Sequence, residues 1–306
     1  MGTASIHFDT WSLAWRGLWR KLAPRAGQHD CLHRQSVWRR LRGKCPGILM
    51  EGSSYCLDEC LEQALIDALR RVRDSVRNEP ASHRIPLGLL LLSRQQLTVD
   101  QLRAALAAQR SAGRGRIGEW LQTMGFVSEH QVTAALARQW SCPVLRANTL
   151  SPNFGRAPQI PVTLLESFVM MPVDYVEATS TLHIAFAERI DYSVLYAIEQ
   201  MLGCRTEACM AVPSLLRNKL QSLSEHRCES EVVFDCMADP AEFARIIRSY
   251  SIRISASEIR LASCGSHVWV RLLRPSRPAL DLLLGSCRED REKDSFLPAA
   301  SPISVA

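Results

Sequence analysis

Residues 84–109 read RIPLGLLLLSRQQLTVDQLRAALAAQ, and residues 114–139 read RGRIGEWLQTMGFVSEHQVTAALARQ. The second stretch repeats the first at an offset of 30 residues. An internal period of this kind is typical of a fold built from repeated units. We therefore predict a duplicated structural unit that can present two equivalent half-sites to one elongated ligand.

Each copy is predicted to fold as a helical hairpin. A short helix comes first, over 87–94 and 117–124, and the second helix opens with a capping box. In such a box a hydroxyl accepts from the third amide of the helix, and a Gln side chain reaches back to the cap. The two boxes are Thr98 with Gln101 and Ser128 with Gln131. Gly125 stands where the first helix of copy two ends, a position that favours left-handed backbone. The hairpins together cover residues 86–140.

Two mixed segments are predicted after the repeat. Behind a linker with Pro152, Pro158 and Pro161, the pattern predicts the order helix, strand, strand, helix, strand, helix. These elements are 163–168, 168–176, 181–187, 191–202, 206–212 and 213–223. Later elements are a strand over 231–236, a helix over 240–250, a hairpin of 258–262 and 267–273, and a further strand over 281–284. The predicted fold class is α+β: tandem helical hairpins, a small α/β sandwich, and a second small α/β module at the C-terminus.

The domain organisation follows from these elements. The predicted parts are a basic Trp-rich arm at 1–44, a cysteine-containing segment with an amphipathic helix at 45–80, the duplicated hairpins at 84–150, the small α/β subdomain at 151–224, the C-terminal α/β module at 230–287 and a disordered tail at 288–306.

Basic residues crowd the arm and contribute to a net charge of +6. A basic segment can meet nucleic acid, acidic lipid or an acidic partner, and it is also typical of a solvated arm, which we favour over nucleic-acid binding. Trp11, Trp15 and Trp19 fall at helical spacing. Residues 11–25 are therefore interpreted either as an amphipathic helix at a membrane interface or as a helix packed on the body of the protein.

Composition narrows the class of protein. No apolar run of about 18 residues and no signal peptide is recognised, so we expect a cytoplasmic protein without a transmembrane helix. The 11 cysteines are an odd number in a chain of 306 residues, which fits a reducing compartment. The phosphate-loop, G-x-S-x-G and H-E-x-x-H motifs do not occur. We predict that the protein is not an enzyme.

Cys45, Cys56 and Cys60 form the one cysteine cluster, with the spacing C-x10-C-x3-C. A structural zinc site has four ligands, usually as two close pairs. Here there is one close pair, so Cys45, or Cys31 and His33 further upstream, would have to complete the set. Zinc at these cysteines is one interpretation, and cysteines at a helix start without metal are the other.

Copy two, residues 116–139, resembles a motif of 24 residues, R-L-G-x-x-L-x-x-x-G-L-[IV]-[ST]-E-x-x-L-x-x-A-L-A-x-Q. That motif belongs to the N-terminal, MshEN-type domain of type II secretion and type IV pilus assembly ATPases. The segment 182–187 with Asp191 resembles that domain's L-x-V-A-x-A-D-P-x-D, with residues 188–190 where the family has D-P and one further residue. The resemblance covers roughly residues 84–223.

The resemblance implies a ligand, because tandem motifs bind cyclic di-GMP in the best-described members. Gln offers donors and acceptors to a guanine edge, Arg stacks on a base or forks onto phosphate, and Gly lets a ligand approach the backbone. The implied ligand-binding residues are Arg116, Gly118, Leu121, Gly125 and Gln139 in copy two, and Gly88 and Gln109 in copy one, with Arg84 added.

Copy one departs from the motif. Pro86 stands at the arginine position and Gln95 at the second glycine position. Arg84 can substitute for the arginine, although Pro86 constrains the path between them. Other members of the family dock a partner's cytoplasmic domain, so docking without a small ligand is the alternative. Gly88 and Gly118 would then serve close helix packing, and Gln109 and Gln139 would be surface residues at helix ends.

A second resemblance concerns residues 243–261 and 268–272. They resemble the A-x-x-x-x-A-S-D-I-H-I-E … V-R-x-R-x-D-G region that precedes the motor domain of these ATPases, with Glu258 at the Asp position and Arg260 at the His position. This implies the regulatory front of such an ATPase without its motor domain; an unrelated α/β module is the alternative. We predict a non-catalytic regulatory or docking protein of a secretion or pilus machine. Its expected contacts are a protein of that machine, cyclic di-GMP, and a membrane only through residues 11–25.

Overall fold

The computed structural model describes residues 47–56, 59–75, 84–145, 159–224, 230–234, 239–265 and 267–285. The predicted arm at 1–44, Cys45, the prolines at 152 and 158 and the tail at 288–306 lie outside these residues. Within them the protein is a mixed helix and sheet fold of the α+β class, as the sequence predicts. No helix of this part of the chain is long and apolar enough to cross a bilayer.

The first described elements are a β-hairpin and a helix. Strands β1 (Gly47–Met50) and β2 (Ser53–Cys56) pair antiparallel, and helix α1 (Glu59–Ser75) follows. The sequence pattern predicts the helix but not the hairpin. Helix α1 buries Leu61, Leu65 and Leu69 against a core that it shares with the C-terminal module.

The repeat folds into four helices. They are α2 (Leu87–Ser93), α3 (Val99–Ala112), α4 (Ile117–Thr123) and α5 (Glu129–Gln139). Both predicted capping boxes are formed, since Thr98 and Ser128 each accept from the amide of the Gln three residues later and that Gln bonds back to the cap amide. The capping pattern therefore fixes where α3 and α5 begin.

The two copies interlock in space. Helix α3 of copy one packs against α4 of copy two, and α5 of copy two packs back against α2 of copy one. Glycines allow close packing inside the repeat: a Cβ on Gly88 of α2 would lie 2.8 Å from Leu102 of α3, and one on Gly118 of α4 would lie 3.2 Å from both Leu87 of α2 and Val132 of α5. The helices share one core, so the duplication produces a single unit.

The turn after each short helix has the same backbone in both copies. Gly125 has φ +70°, and Gln95, its equivalent, has φ +57°. Left-handed backbone costs a residue with a side chain about 1–2 kcal/mol and costs glycine little. Copy one therefore keeps the turn of the motif, although Gln95 stands where the motif has a glycine.

A small α/β sandwich follows the repeat. Its elements are α6 (Val162–Ser167), β3 (Met170–Val176), β4 (Thr181–Phe186), α7 (Tyr192–Leu202), β5 (Arg205–Met210) and α8 (Pro213–Ser224). Strand β4 lies in the centre, antiparallel to β3 and parallel to β5. The predicted order of elements is confirmed, with the helix from 191 capped by Asp191 and ended by Gly203 in left-handed backbone.

The C-terminal module is larger than the sequence pattern predicts. It contains β6 (Glu231–Phe234), α9 (Pro240–Arg253), β7 (Glu258–Cys264), β8 (His267–Arg274) and β9 (Arg277–Gly285). The sheet has the order β2-β1-β7-β8-β9-β6, with β1 parallel to β7. The segment at 45–80, predicted as a part of its own, thus shares a sheet with the C-terminal residues. Strand β9 is also longer than the predicted 281–284.

This sheet is covered on both faces. One face packs against α1 and α9, and the other contributes Ala262, Cys264, Trp269 and Leu283 to the core of the sandwich. On that second face Asp281 is buried and pairs with Arg271 at 2.7 Å, while Arg271 donates to the carbonyl of Gln159 at 2.6 Å. The sandwich and the C-terminal module therefore meet through a continuous apolar core with one buried ion pair inside it.

Candidate functional site

Gln109 brings the end of copy one to the start of copy two. Its Nε2 donates to the carbonyl of Gly115 at 2.8 Å, directly before Arg116. Arg116 is the N-cap of α4, its backbone amide donates to Glu119 Oε2 at 3.1 Å, and its side chain is exposed. We refer to Gln109, Gly115 and Arg116 as the first half-site of the candidate site.

Gln139 does the same in the opposite direction. Its Nε2 donates to the carbonyl of Ile85 at 2.6 Å, and Ile85 is the copy-one equivalent of Gly115. The guanidinium carbon of Arg84 lies 3.2 Å from the centroid of the Trp140 ring, next to Gln139. We refer to Gln139, Ile85, Arg84 and Trp140 as the second half-site of the candidate site, in which an arginine is stacked on an aromatic face.

The remaining predicted ligand residues lie beneath or beside the half-sites. Leu121 is fully buried in the core of the repeat, and Gly88 and Gly118 are buried where α2 and α4 pack on the second helices. Gly125 is exposed in its turn, with open space where a Cβ would be. These four residues therefore shape the repeat, while Gln109, Gln139, Arg84 and Arg116 carry the polar chemistry at its surface.

Arg116 is already engaged by an acidic residue of the sandwich. Its guanidinium bonds to Glu188 Oε2, and Arg217 of α8 bonds to Glu188 Oε1 at 2.9 Å. The side chain of Glu188 is 25% exposed, whereas those of Arg116 and Arg217 are 57% and 47% exposed. One carboxylate thus holds two guanidinium groups together at the edge of the first half-site. Arg116, Glu188 and Arg217 are called the triad below.

A second polar link between the repeat and the sandwich is made by Ser214, three residues before Arg217. Glu129, in the first turn of α5, accepts from the backbone amide and the hydroxyl of Ser214, both at 2.8 Å. Ser214 is the second residue of α8, and Arg217 lies about one turn further along that helix. The start of α8 is therefore fixed to the repeat, and Arg217 is presented from a fixed position.

Glu188, Arg217 and Trp140 were not singled out by the sequence. Glu188 stands where the related family has the Asp of its D-P segment, which is a signal that an acidic group belongs there. Arg217 carries no comparable signal, because it lies on a helix 101 residues after Arg116. Trp140 directly follows the motif Gln and is the aromatic that Arg84 covers.

The cysteines give no metal centre among the described residues, where no group of three or more potential ligands lies together. Cys56 and Cys60 are partly exposed, and Cys45 lies outside those residues, so the predicted zinc site stays a prediction. Elsewhere, burial raises the pKa of Cys209 to about 12, with a smaller contribution from nearby Cys142. Burial, with a lesser effect of Asp191, also raises the pKa of Cys264. Both are neutral core thiols.

Comparison with known proteins gives matches among solved structures. No protein-family model and no curated protein matches the chain. The structure of MshE with cdg is matched at 28% identity and a TM-score of 0.39, over 45% of this chain and 99% of that one. The N-terminal domain of XpsE is matched at 20% identity and a TM-score of 0.36, over 47% and 97%, and in a second crystal form at 21% and 0.29.

Residues 84–224 have the local features and the order of elements that the motif resemblance implies. The duplicated motif folds as two interlocked copies with both capping boxes formed, and the expected order of helices and strands follows it.

Proposed function

We propose that residues 84–224 are an MshEN-like domain, that this domain is a non-catalytic regulatory module of a secretion or pilus-type system, and that it binds cyclic di-GMP across its two half-sites. The observation that carries the proposal is the pseudo-symmetry of Gln109 and Gln139, each of which binds the backbone just before the motif start of the other copy. An elongated ligand with two like ends matches a surface with two like half-sites.

The side chains at the half-sites suit a guanine dinucleotide. Gln109 and Gln139 each have an amide whose oxygen accepts and whose nitrogen donates, as the edge of guanine requires. Arg116 and Arg84 bring planar guanidinium groups that bind phosphate or stack on a base. The solved structure of MshE is with cdg, which we take to be cyclic di-GMP.

The half-sites are unequal, and this shapes the mechanism. Pro86 removes the motif arginine from copy one, and we assign its role in the second half-site to Arg84, stacked on Trp140. A bound ligand then contacts both copies and the sandwich edge near Glu188. By fixing the angle between repeat and sandwich it would change what the rest of the chain, including the basic segment at 1–44, presents to a partner.

The test is isothermal titration calorimetry of the full chain with cyclic di-GMP. At a protein concentration near 100 μM, even micromolar binding gives a measurable heat. GMP, which offers one base and one phosphate, is the control ligand and should bind far more weakly because it occupies one half-site. No heat with cyclic di-GMP would exclude the sensor function.

The second candidate function is docking of a protein partner without a small ligand. Exposed apolar side chains on the repeat favour this function. Ile85, Leu89 and Val99 of the repeat are 60%, 53% and 52% exposed. A photoreactive amino acid at position 89 is expected to capture a component of a secretion or pilus assembly in cells. The same probe at Lys219, on α8, is the control.

A further inference from the structure

The most unusual feature of the site is that its arginine is bound internally. Glu188 contributes both of its carboxylate oxygens, one to Arg116 and one to Arg217, from elements 72 and 29 residues away in sequence. A carboxylate held by two guanidinium groups has the same partners that a phosphodiester finds in a protein. The triad is therefore an anion site whose occupant is a side chain.

The position of Arg217 is fixed independently of Glu188. The double hydrogen bond between Glu129 and Ser214 fastens the first turn of α8 to the repeat. Residues three apart lie on the same side of a helix, so this contact turns Arg217 toward the repeat as well. The backbone of Arg217 would therefore keep its position beside the repeat if the carboxylate left.

The net charge of the triad depends on whether Glu188 is in place. With Glu188 in place the triad carries one net positive charge, and with Glu188 displaced it presents two. Copy one lacks the motif arginine because Pro86 stands there. Arg84 takes the role of that arginine in the second half-site, and Arg217 adds a further guanidinium to the first half-site from the sandwich.

We propose that Arg116 and Arg217 form a phosphate-binding site that Glu188 occupies in the free protein, and that an anionic ligand enters by displacing the Glu188 carboxylate. In combination with the proposed function, the ligand is the phosphodiester of cyclic di-GMP, and Glu188 lowers the affinity of the free protein for it. The inference rests on the proposed function for the identity of the ligand but not for the existence of the anion site.

The first experiment measures cyclic di-GMP affinity in matched variants of the full chain. Glu188→Gln keeps the shape of the side chain and removes its charge, so binding should become about three- to tenfold tighter, the worth of partly exposed ion pairs. Arg217→Gln should weaken binding by a similar factor. Glu207→Gln and Lys219→Gln, which change the charge equally elsewhere in the sandwich, should leave it unchanged. Weaker or unchanged binding by Glu188→Gln would overturn the displacement model.

The second experiment uses inorganic pyrophosphate and needs no dinucleotide. Pyrophosphate should raise the melting temperature of Glu188→Gln by about 2–4 °C over chloride at equal ionic strength, and should not do so for the double variant Glu188→Gln/Arg217→Gln. A shift no larger than that of Glu207→Gln would overturn the anion site. A clear shift without cyclic di-GMP binding in any variant would support the anion site and refute the proposed ligand.

Discussion

Gln109 and Gln139 make the same hydrogen bond in opposite directions across the repeat. Gln109 donates to the carbonyl of Gly115 at 2.8 Å, and Gln139 donates to the carbonyl of Ile85 at 2.6 Å. Ile85 and Gly115 are equivalent positions of the two copies. The end of each copy is therefore fastened to the start of the other, and the tandem motif closes on itself instead of forming two independent hairpins.

The first prediction concerns these two glutamines. Gln109→Ala and Gln139→Ala should each lower the free energy of unfolding by about 0.5–1.5 kcal/mol, the net worth of a protein hydrogen bond. Urea denaturation measures the change. Gln122→Ala, which removes the same side chain from α4, is the matched control. A loss no greater than that of the control would show that the closure contributes nothing to stability.

The second prediction uses the unequal turns. Gln95 has φ +57°, so Gln95→Gly should raise the free energy of unfolding by about 1 kcal/mol, because glycine adopts this backbone without strain. Gly125→Gln, in the other copy, should lower it by about as much. Gln122→Gly, inside a helix, should destabilise the protein by roughly 0.5–1 kcal/mol. Destabilisation by Gln95→Gly would mean that contacts of the Gln95 side chain offset the strain of its left-handed backbone.

The third prediction concerns the carboxylate of Asp281, which is buried where the sandwich and the C-terminal module meet. Asp281 accepts from Trp269 Nε1 and Arg271 Nε, both at 2.8 Å. Asp281→Ala leaves the Arg271 charge buried without its counter-ion, so the loss of stability should be roughly 3–5 kcal/mol. Glu258→Gln, which breaks the more exposed pair with Arg260, should cost at most about 1 kcal/mol. Equal losses in denaturation experiments would contradict a buried role for Asp281.

Local patterns predict most of the fold because local rules govern it. The capping boxes at Thr98 and Ser128 mark helix starts by contacts within three residues, and the helix from 191 is bounded by its own cap and by Gly203. The hairpin of β1 and β2 escapes this kind of prediction. Its strands have four residues each, and β1 is held by parallel pairing with β7, about two hundred residues later, which no local pattern records.

The candidate site also has a part that the sequence predicts and a part that it does not. The motif places Arg116 and the two glutamines, since repeats align residue by residue. It does not reveal the bond between Arg116 and Glu188, because that contact depends on how the repeat sits on the sandwich. The resemblance implies Leu121 as a ligand-binding residue, and the structure buries its side chain completely in the core of the repeat.

The fourth prediction is a pH dependence. The pKa of Cys209 is raised from 9.0 to about 12 by burial, so the folded state keeps a thiol proton that the unfolded state loses. The contribution of this thiol to the free energy of unfolding is therefore fully present below pH 9. It is lost as the pH rises from 9 toward 12, at up to about 1.4 kcal/mol per pH unit. Urea denaturation at pH 8 and pH 10 should show a smaller decrease for Cys209→Ala than for the wild type. Equal decreases would mean that this thiol titrates normally.

The most direct test of the account is the affinity of the full chain for cyclic di-GMP, compared between the wild type and Arg116→Ala by titration calorimetry. We predict binding by the wild type and a weakening of about 1–3 kcal/mol in Arg116→Ala, roughly five- to 150-fold, because a charged hydrogen bond is lost. Arg110→Ala, at the exposed end of α3, should bind as the wild type does. No heat from the wild type near 100 μM, or equal affinity in Arg116→Ala, would contradict a dinucleotide site on the tandem repeat.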